Sequence, residues 1–357
     1  MDFPPEIWLY IHRLASPPSL LMAARSEELN YVPPQNPFHT VSLQDILSFL
    51  LVSRLWYSLA KELLYENIAA TSDPRRFDAL CDALEQPGTA ALVRSVLLTH
   101  SHVHNFAILP LCTRVEVVCQ PDATLSWGFS GSSAGAIPFP TFESLKHVYW
   151  TESVVTSEFL RGLLAAAPNL EHLFVQPSGQ LEFPPAGELS LPSLPHLRRL
   201  ECINLDNHAG VVQLDLTRLV RLNCGPRLPF PAVPALVTLK LFGSRKTIDF
   251  ASIFERCPRL RHLSYDIWNA VVAPASQQAV LVLDEMRLHS VVTVIRDWRP
   301  IEEHFSLITS PEFPHVKRLV LEGMWYRVVG DVRFMPFKEG LRARGVQLEF
   351  PEGFVCL

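Results

Sequence analysis

The sequence predicts an α/β protein, with a short helical module at its start and a long, irregular array of strand-bearing repeats behind it. Three observations predict this. Apolar residues recur at helical spacing from Ser42 to Ile68. Beyond Gly88 a degenerate pattern, L-x-x-L-x-L with other apolar residues admitted, returns many times. Five prolines, Pro168, Pro195, Pro234, Pro258 and Pro314, each stand two residues before the first apolar position of such a unit.

Composition narrows the class. At 357 residues, 48% hydrophobic and 19% charged, the chain reads as globular and is long enough for a small domain plus a larger one. Its formal charge is −5 and it has no strongly basic run, which argues against nucleic acid as a partner. The start, M-D-F-P-P-E, lacks the positive flank and apolar run of a signal peptide. No uninterrupted apolar stretch approaches the roughly 18–20 residues that span a bilayer, so no membrane is expected. Seven cysteines, an odd number without a C-x-x-C pair, read as reduced thiols in a cytoplasmic or nuclear protein.

The helical module comes first. Pro4, Pro5 and Glu6 start a helix, with proline in the first turn and an acid near the positive end of the dipole. Ile7, Ile11 and Leu14 line one face, and Ser16-Pro17-Pro18 stops it. The stretch from Ser16 to Thr40, with Pro33, Pro34 and Pro37 as well, reads as a loop with one short turn around Leu20–Arg25. Ser42 and Asp45 then make a capping-box start for Leu43, Ile46, Leu47 and Leu50. Ser53 caps a second helix carrying Leu55, Trp56, Leu59, Leu63 and Leu64, with a bend near Val52.

F-P-P-E-I-W-x-x-I-x-x-L and L-L-V-S-R-x-W-x-x-L-A-x-x-L-L-Y together resemble the F-box, most of all the F-box-like domains of filamentous fungi. The matching positions are Pro5, Glu6, Ile7, Ile11 and Leu14, then Leu51, Val52, Ser53, Arg54, Trp56, Leu59 and Leu64. The loop after Ser16 departs from the usual compact run. The resemblance implies a module over residues 1–70 that docks on the Skp adaptor of a cullin–RING ubiquitin ligase. Pro5, Ile7, Ile11, Leu14, Leu51, Val52, Arg54, Trp56 and Leu59 would form the adaptor surface.

Asp73 and Pro74 open a further helix with Phe77, Leu80 and Leu84 inside, and Pro87-Gly88 ends it. The repeats follow at Val93-Val96-Leu98, Cys112-Val115-Val117, Leu145-Val148-Trp150 and Leu170-Leu173-Val175. They continue at Leu197-Leu200-Cys202, Leu219-Leu222-Cys224, Leu236-Leu239-Leu241, Leu260-Leu263-Tyr265 and Val316-Leu319-Leu321. The gaps between starts are 19, 33, 25, 27, 22, 17, 24 and 56 residues, most of them near the leucine-rich-repeat period of roughly 20–29. A worn unit at Leu288-Val291 falls inside the longest gap. Each proline ends the element before it and feeds the next strand. Ser157 to Ala167 and Phe250 to Cys257 read as helices between strands. Residues 71–357 are thus expected to form an irregular leucine-rich-repeat solenoid behind the F-box-like module, an architecture the family uses for substrate receptors.

Chemistry is hard to find. Gly131-Ser132-Ser133-Ala134-Gly135 fits the nucleophile elbow G-x-S-x-G, but Pro138 and Pro140 preclude the helix that elbow needs. His100, His102 and His104 would share a face of an extended segment and suit zinc, but no carboxylate or cysteine cluster completes the set. Neither a catalytic site nor a metal or other cofactor is expected.

The repeat geometry points to a binding face instead. If the first, fourth and sixth residues of each unit point inward, the third, fifth and seventh emerge opposite, on the concave face. The third position reads Ser95, Arg114, His147, His172, Arg199, Arg221, Thr238, His262 and Arg318. Arg114, His147, His172, Arg199, Arg221, His262 and Arg318 would make a basic column suited to an acidic or phosphorylated target protein. The competing reading is that Glu116, Glu201, Asp266 and Glu322 neutralise the column as ion pairs. The function expected is that of a non-catalytic substrate receptor bound to the Skp adaptor and cullin scaffold. The alternative is an interaction scaffold outside any ligase.

Overall fold

The computed structural model describes residue 51 and residues 53–70, 73–98, 106–120, 139–152, 157–177, 194–202, 219–224, 233–241, 246–268, 270–272, 282–290, 297–311 and 313–350. The fold is α/β. The chain divides into two compact units, Met1–Phe183 with Leu189–His196 and Pro184–Glu188 with Leu197–Leu357.

In the first unit, helix α1 (Arg54–Glu66) follows Ser53, which is extended and accepts the Trp56 N–H on its hydroxyl at 3.2 Å. That bond satisfies one of the orphan donors of the first turn. The helix runs directly into strand β1 (Asn67–Ala70). Helix α2 (Pro74–Glu85) opens with Pro74, and the Asp73 carboxylate accepts from Arg75 N–H at 3.0 Å. Phe77 and Leu84 are buried, whereas Leu80 stays half-exposed. Strands β2 (Ser95–Leu98), β3 (Val117–Gln120), β4 (His147–Glu152) and β5 (His172–Pro177) follow, with helix α3 (Ser157–Ala165) between the last two. All five strands are parallel neighbours in chain order.

One hydrogen-bond motif recurs. The Arg94 carbonyl accepts from the N–H groups of Glu116 and Val117 at 2.7 and 3.0 Å. Glu116 does the same for Lys146 and His147, and Lys146 for Glu171 and His172. Behind it, Val96, Val118, Val148 and Leu173 form a column with no exposed surface. Burial of each such side chain is worth about 1.5–3 kcal/mol.

In the second unit, β6 (Arg199–Cys202), β7 (Arg221–Cys224), β8 (Thr238–Leu241), β10 (His262–Asp266), β12 (Val282–Ser290), β13 (His315–Gly323) and β14 (Gln347–Glu349) are successive parallel neighbours. The shared carbonyls are now those of Arg198, Val220, Val237 and Arg261. Leu200, Leu222, Leu239, Leu263, Met286 and Leu319 form the buried column. Beside this sheet, β9 (Lys246–Ile248) pairs in parallel with β11 (Ala270–Val272).

The prolines act through turns. Leu170, Leu236 and Leu260 bond back to the carbonyls of Ala167, Val233 and Cys257, with Pro168, Pro234 and Pro258 next after the acceptor. Proline's fixed φ suits that position of a turn, and its missing N–H is not needed there. Pro195 and Pro314 also lie outside helices, just ahead of β6 and β13.

Helix α4 (Phe250–Arg256) is capped by Asp249, which accepts the Ser252 N–H at 3.1 Å. Helix α5 (Arg299–Thr309) buries Ile301, His304, Phe305 and Ile308. After β13, helix α6 (Tyr326–Val329), a 3-10 turn (Val332–Phe334) and helix α7 (Met335–Ala343) lead to β14. Gly323 makes the exit from β13 possible: its φ is +93°, and a Cβ there would sit 2.2 Å from the Ser290 carbonyl oxygen. The Arg344 guanidinium donates to the carbonyls of Ser310 and Phe313 at 2.7 and 3.0 Å, and also to Ile308, closing the end of α5.

Two repeat assignments need correction. The second unit is Val115-Val118-Gln120, not Cys112-Val115-Val117, because Val96 pairs in register with Val118. Apolar residues at 112, 115, 117 and 118 suit either phase, but Val115 N–H bonds to the Cys112 carbonyl at 3.4 Å, which makes Cys112 the start of a turn. The unit in the long gap is Leu283-Met286-Leu288, not Leu288-Val291, because Leu263 and Tyr265 pair with Met286 and Leu288. It has no proline two residues ahead of it, the feature that supports the phase of five other units.

Candidate functional site

The adaptor residues divide between described and undescribed positions. Pro5, Ile7, Ile11, Leu14 and Val52 lie outside the described residues, as does the Leu59 side chain. Leu51 is 88% exposed, directly ahead of α1. Arg54 is exposed at the start of that helix, and Trp56 is half-buried.

The predicted basic column is altered by register. In the first unit, Ser95, Val117, His147 and His172 are successive partners. Arg114 is therefore not in the column: it is exposed in the turn before β3, and Val117 takes its position. His172 is 6% exposed rather than presented to solvent. Its Nδ1 lies 3.3 Å from the Tyr149 hydroxyl, and its ring meets His147 edge-on at 5.9 Å. The fifth positions, Leu97, Cys119, Tyr149 and Phe174, are apolar or aromatic and buried. Apart from the half-buried His147, this face of the first unit is core.

The same face of the second unit is charged. Arg199, Arg221, Thr238, His262, Glu285, Arg318 and Gln347 are in register across it. The third, fifth and seventh positions carry Arg199, Arg221, Lys240, Arg287 and Arg318 against Glu201, Asp266, Glu285, Glu322 and Glu349. Five cations thus stand against five carboxylates, and the column is a mixed ladder rather than a positive stripe.

Its centre is Glu285, 5% exposed, on which both Arg287 and Arg318 close. Arg287 also reaches Glu322 at 2.6 Å, and the other Glu322 oxygen lies 3.0 Å from Nε2 of His289. Ser264 joins the same nitrogen at 2.9 Å, and Arg318 reaches Glu349 at 3.5 Å. Arg199 pairs with Glu201 two residues along its strand. Burial holds Lys240 below the usual lysine range against the pull of Glu201. Burial likewise lowers His262, and Arg287, Arg221 and Arg318 add to it while Asp284 opposes.

Sequence reasoning missed Glu285, Arg287 and His289, all on β12. The signal was present as Leu283-x-x-Met286-x-Leu288, which fits the repeat once methionine is admitted at the fourth position.

The candidates for chemistry, Ser133 and the run His100, His102 and His104, lie outside the described residues. Among the described residues, no group of three or more His, Cys, Asp or Glu side chains could hold a metal ion. Cys81, Cys112, Cys119 and Cys257 are free thiols, and burial pushes Cys112 and Cys119 up to about 12 and Cys257 to about 11. Thiols so raised are poor nucleophiles. No described helix is long and apolar enough to cross a membrane. No protein-family model matches the chain, and no curated protein matches it in sequence.

Proposed function

We propose that the chain is a substrate receptor of a cullin–RING ubiquitin ligase, with an F-box-like module that holds the Skp adaptor and an irregular leucine-rich-repeat solenoid that holds a target. The observation that carries this reading is Leu51. Leu51 is 88% exposed at a position that matches the F-box motif, and it precedes a helix that runs directly into the first strand of the array. An adaptor docked there would be coupled directly to the repeats.

The solenoid reading is supported by parallel strands in chain order, shared carbonyls at one position per unit, and proline-led turns. The target face is the polar face of the second unit, with Arg199, Arg221 and Arg318 as its cations and the His262 imidazole, held neutral by burial, between them. Acidic or phosphorylated side chains of a target would compete there with Glu201 and Glu285 for the same guanidinium groups. The receptor does no chemistry itself, and it works in the cytoplasm or nucleus. Reconstitution of the full chain with purified Skp adaptor tests the reading. A stoichiometric complex supports it, and no complex at micromolar concentration leaves an interaction scaffold without the ligase.

A further inference from the structure

Of the seven large apolar residues exposed among the described positions, four lie between residues 324 and 335: Met324, Tyr326, Val332 and Met335, at 44, 44, 80 and 44%. They belong to the connection from β13 to β14. Gly323 swings the chain out of the sheet, and Met324 N–H bonds to the Ser290 carbonyl at 2.8 Å. Trp325 and Phe334 then both lie against the Phe305 ring, with centroids at 5.9 and 4.9 Å. One buried ring therefore holds the start and the middle of the connection side by side, and the residues near those two anchors in the chain are exposed. Val332 and Met335, three apart, share one face of the 3-10 turn and helix that follow. Lys338 and Arg342 continue that face into solvent.

We propose that this outer surface is a docking site for an acidic, amphipathic segment of a partner protein. Charge selects the occupant. Arg327, Lys338 and Arg342 are exposed, and none forms an ion pair with a described residue. Asp331 is taken up by Arg333 at 2.8 Å, which leaves Glu339 as the remaining carboxylate between residues 324 and 344. This positive surplus stands in a chain whose net charge is −5. A second copy presenting the same cationic rim would be repelled, whereas glutamates flanking leucine or methionine anchors would be attracted. The two exposed methionines suit such a site, because an unbranched thioether adapts to different apolar partners. The site does not depend on the ligase reading.

The test uses the full chain and two synthetic helical peptides, each with leucine at i, i+3, i+4 and i+7, one filled with glutamate and one with lysine. Titration calorimetry should register the glutamate peptide and not the lysine peptide. Val332→Glu with Met335→Glu should weaken binding by roughly tenfold or more, with an unchanged Tm because both side chains are exposed. Arg342→Glu should weaken it too and flatten its salt dependence. Equal binding of both peptides, binding of neither, or binding that survives the double substitution would overturn the proposal. So would a concentration-dependent dimer of the chain alone that Val332→Glu dissolves.

Discussion

The Tyr265 hydroxyl donates to Nδ1 of His304 over 3.0 Å, with both side chains shut off from solvent. The tautomer follows from the other ring nitrogen. Nε2 lies 3.2 Å from the Ala270 carbonyl, which can only accept, so Nε2 carries the proton and Nδ1 receives the tyrosine's. The bonds tie α5 to β10 and β11 through a neutral imidazole.

Burial holds that imidazole down to about 4, against an ordinary value of about 6.5. The unfolded chain therefore takes up the proton first. Stability should be whole above about pH 6.5 and fall as pH drops toward 4, by about 3 kcal/mol in all. Asp249 and Asp284, held below the usual carboxylate range by hydrogen bonds to Ser252 and Lys317, act only at still lower pH. Urea denaturation at pH 7 and 4.5 checks this in the wild type and in His304→Gln. The variant should be weaker at pH 7 and lose less between the two, the remainder coming from His262 and His289, whose imidazoles burial also lowers, and a wild type equally stable at both would contradict the assignment.

Glu285 carries a different load. Its carboxylate answers two guanidinium groups from a nearly closed position, so Glu285→Gln leaves both without their shared partner. Removing one member of a buried pair costs about 3–5 kcal/mol, and because Arg287 and Arg318 still reach water we expect about 2–3. A double-mutant cycle with Arg318→Gln should return a coupling above about 1 kcal/mol. Additive losses would mean that the ladder is screened surface charge.

How much of this was legible depended on which marker a segment carried. Asp73-Pro74, Ser53 and the turn prolines were legible because capping and proline geometry are local. Arg114 was misassigned because four apolar residues between 112 and 118 fit two registers, and a hydrogen bond of the turn chose between them. The buried His172 was not foreseeable from alternation. Alternation says which face a residue takes, but not that the face of the first unit is closed over Tyr149 and Phe174. Glu285 was hidden because its strand lacks the leading proline and carries charges between its apolar residues.

That strand offers its own check. Leu283 has no exposed surface, and Asp284 beside it is partly exposed and reaches Lys317 at 2.6 Å. Leu283→Ala should cost about 2–5 kcal/mol and Asp284→Ala less than about 1. Thermal unfolding with comparable losses for the two would mean that the register of β12 is wrong.

In the receptor reading, Leu51 faces the adaptor. Titrating the full chain with purified Skp adaptor, as wild type and as Leu51→Asp, addresses it most directly. The side chain is already in water, so the substitution should leave Tm unchanged while removing an apolar contact worth about 1.5–3 kcal/mol. A micromolar or tighter wild-type complex that weakens by at least about tenfold in the variant is the predicted result. A complex of equal affinity with both proteins, or none with the wild type, would contradict it.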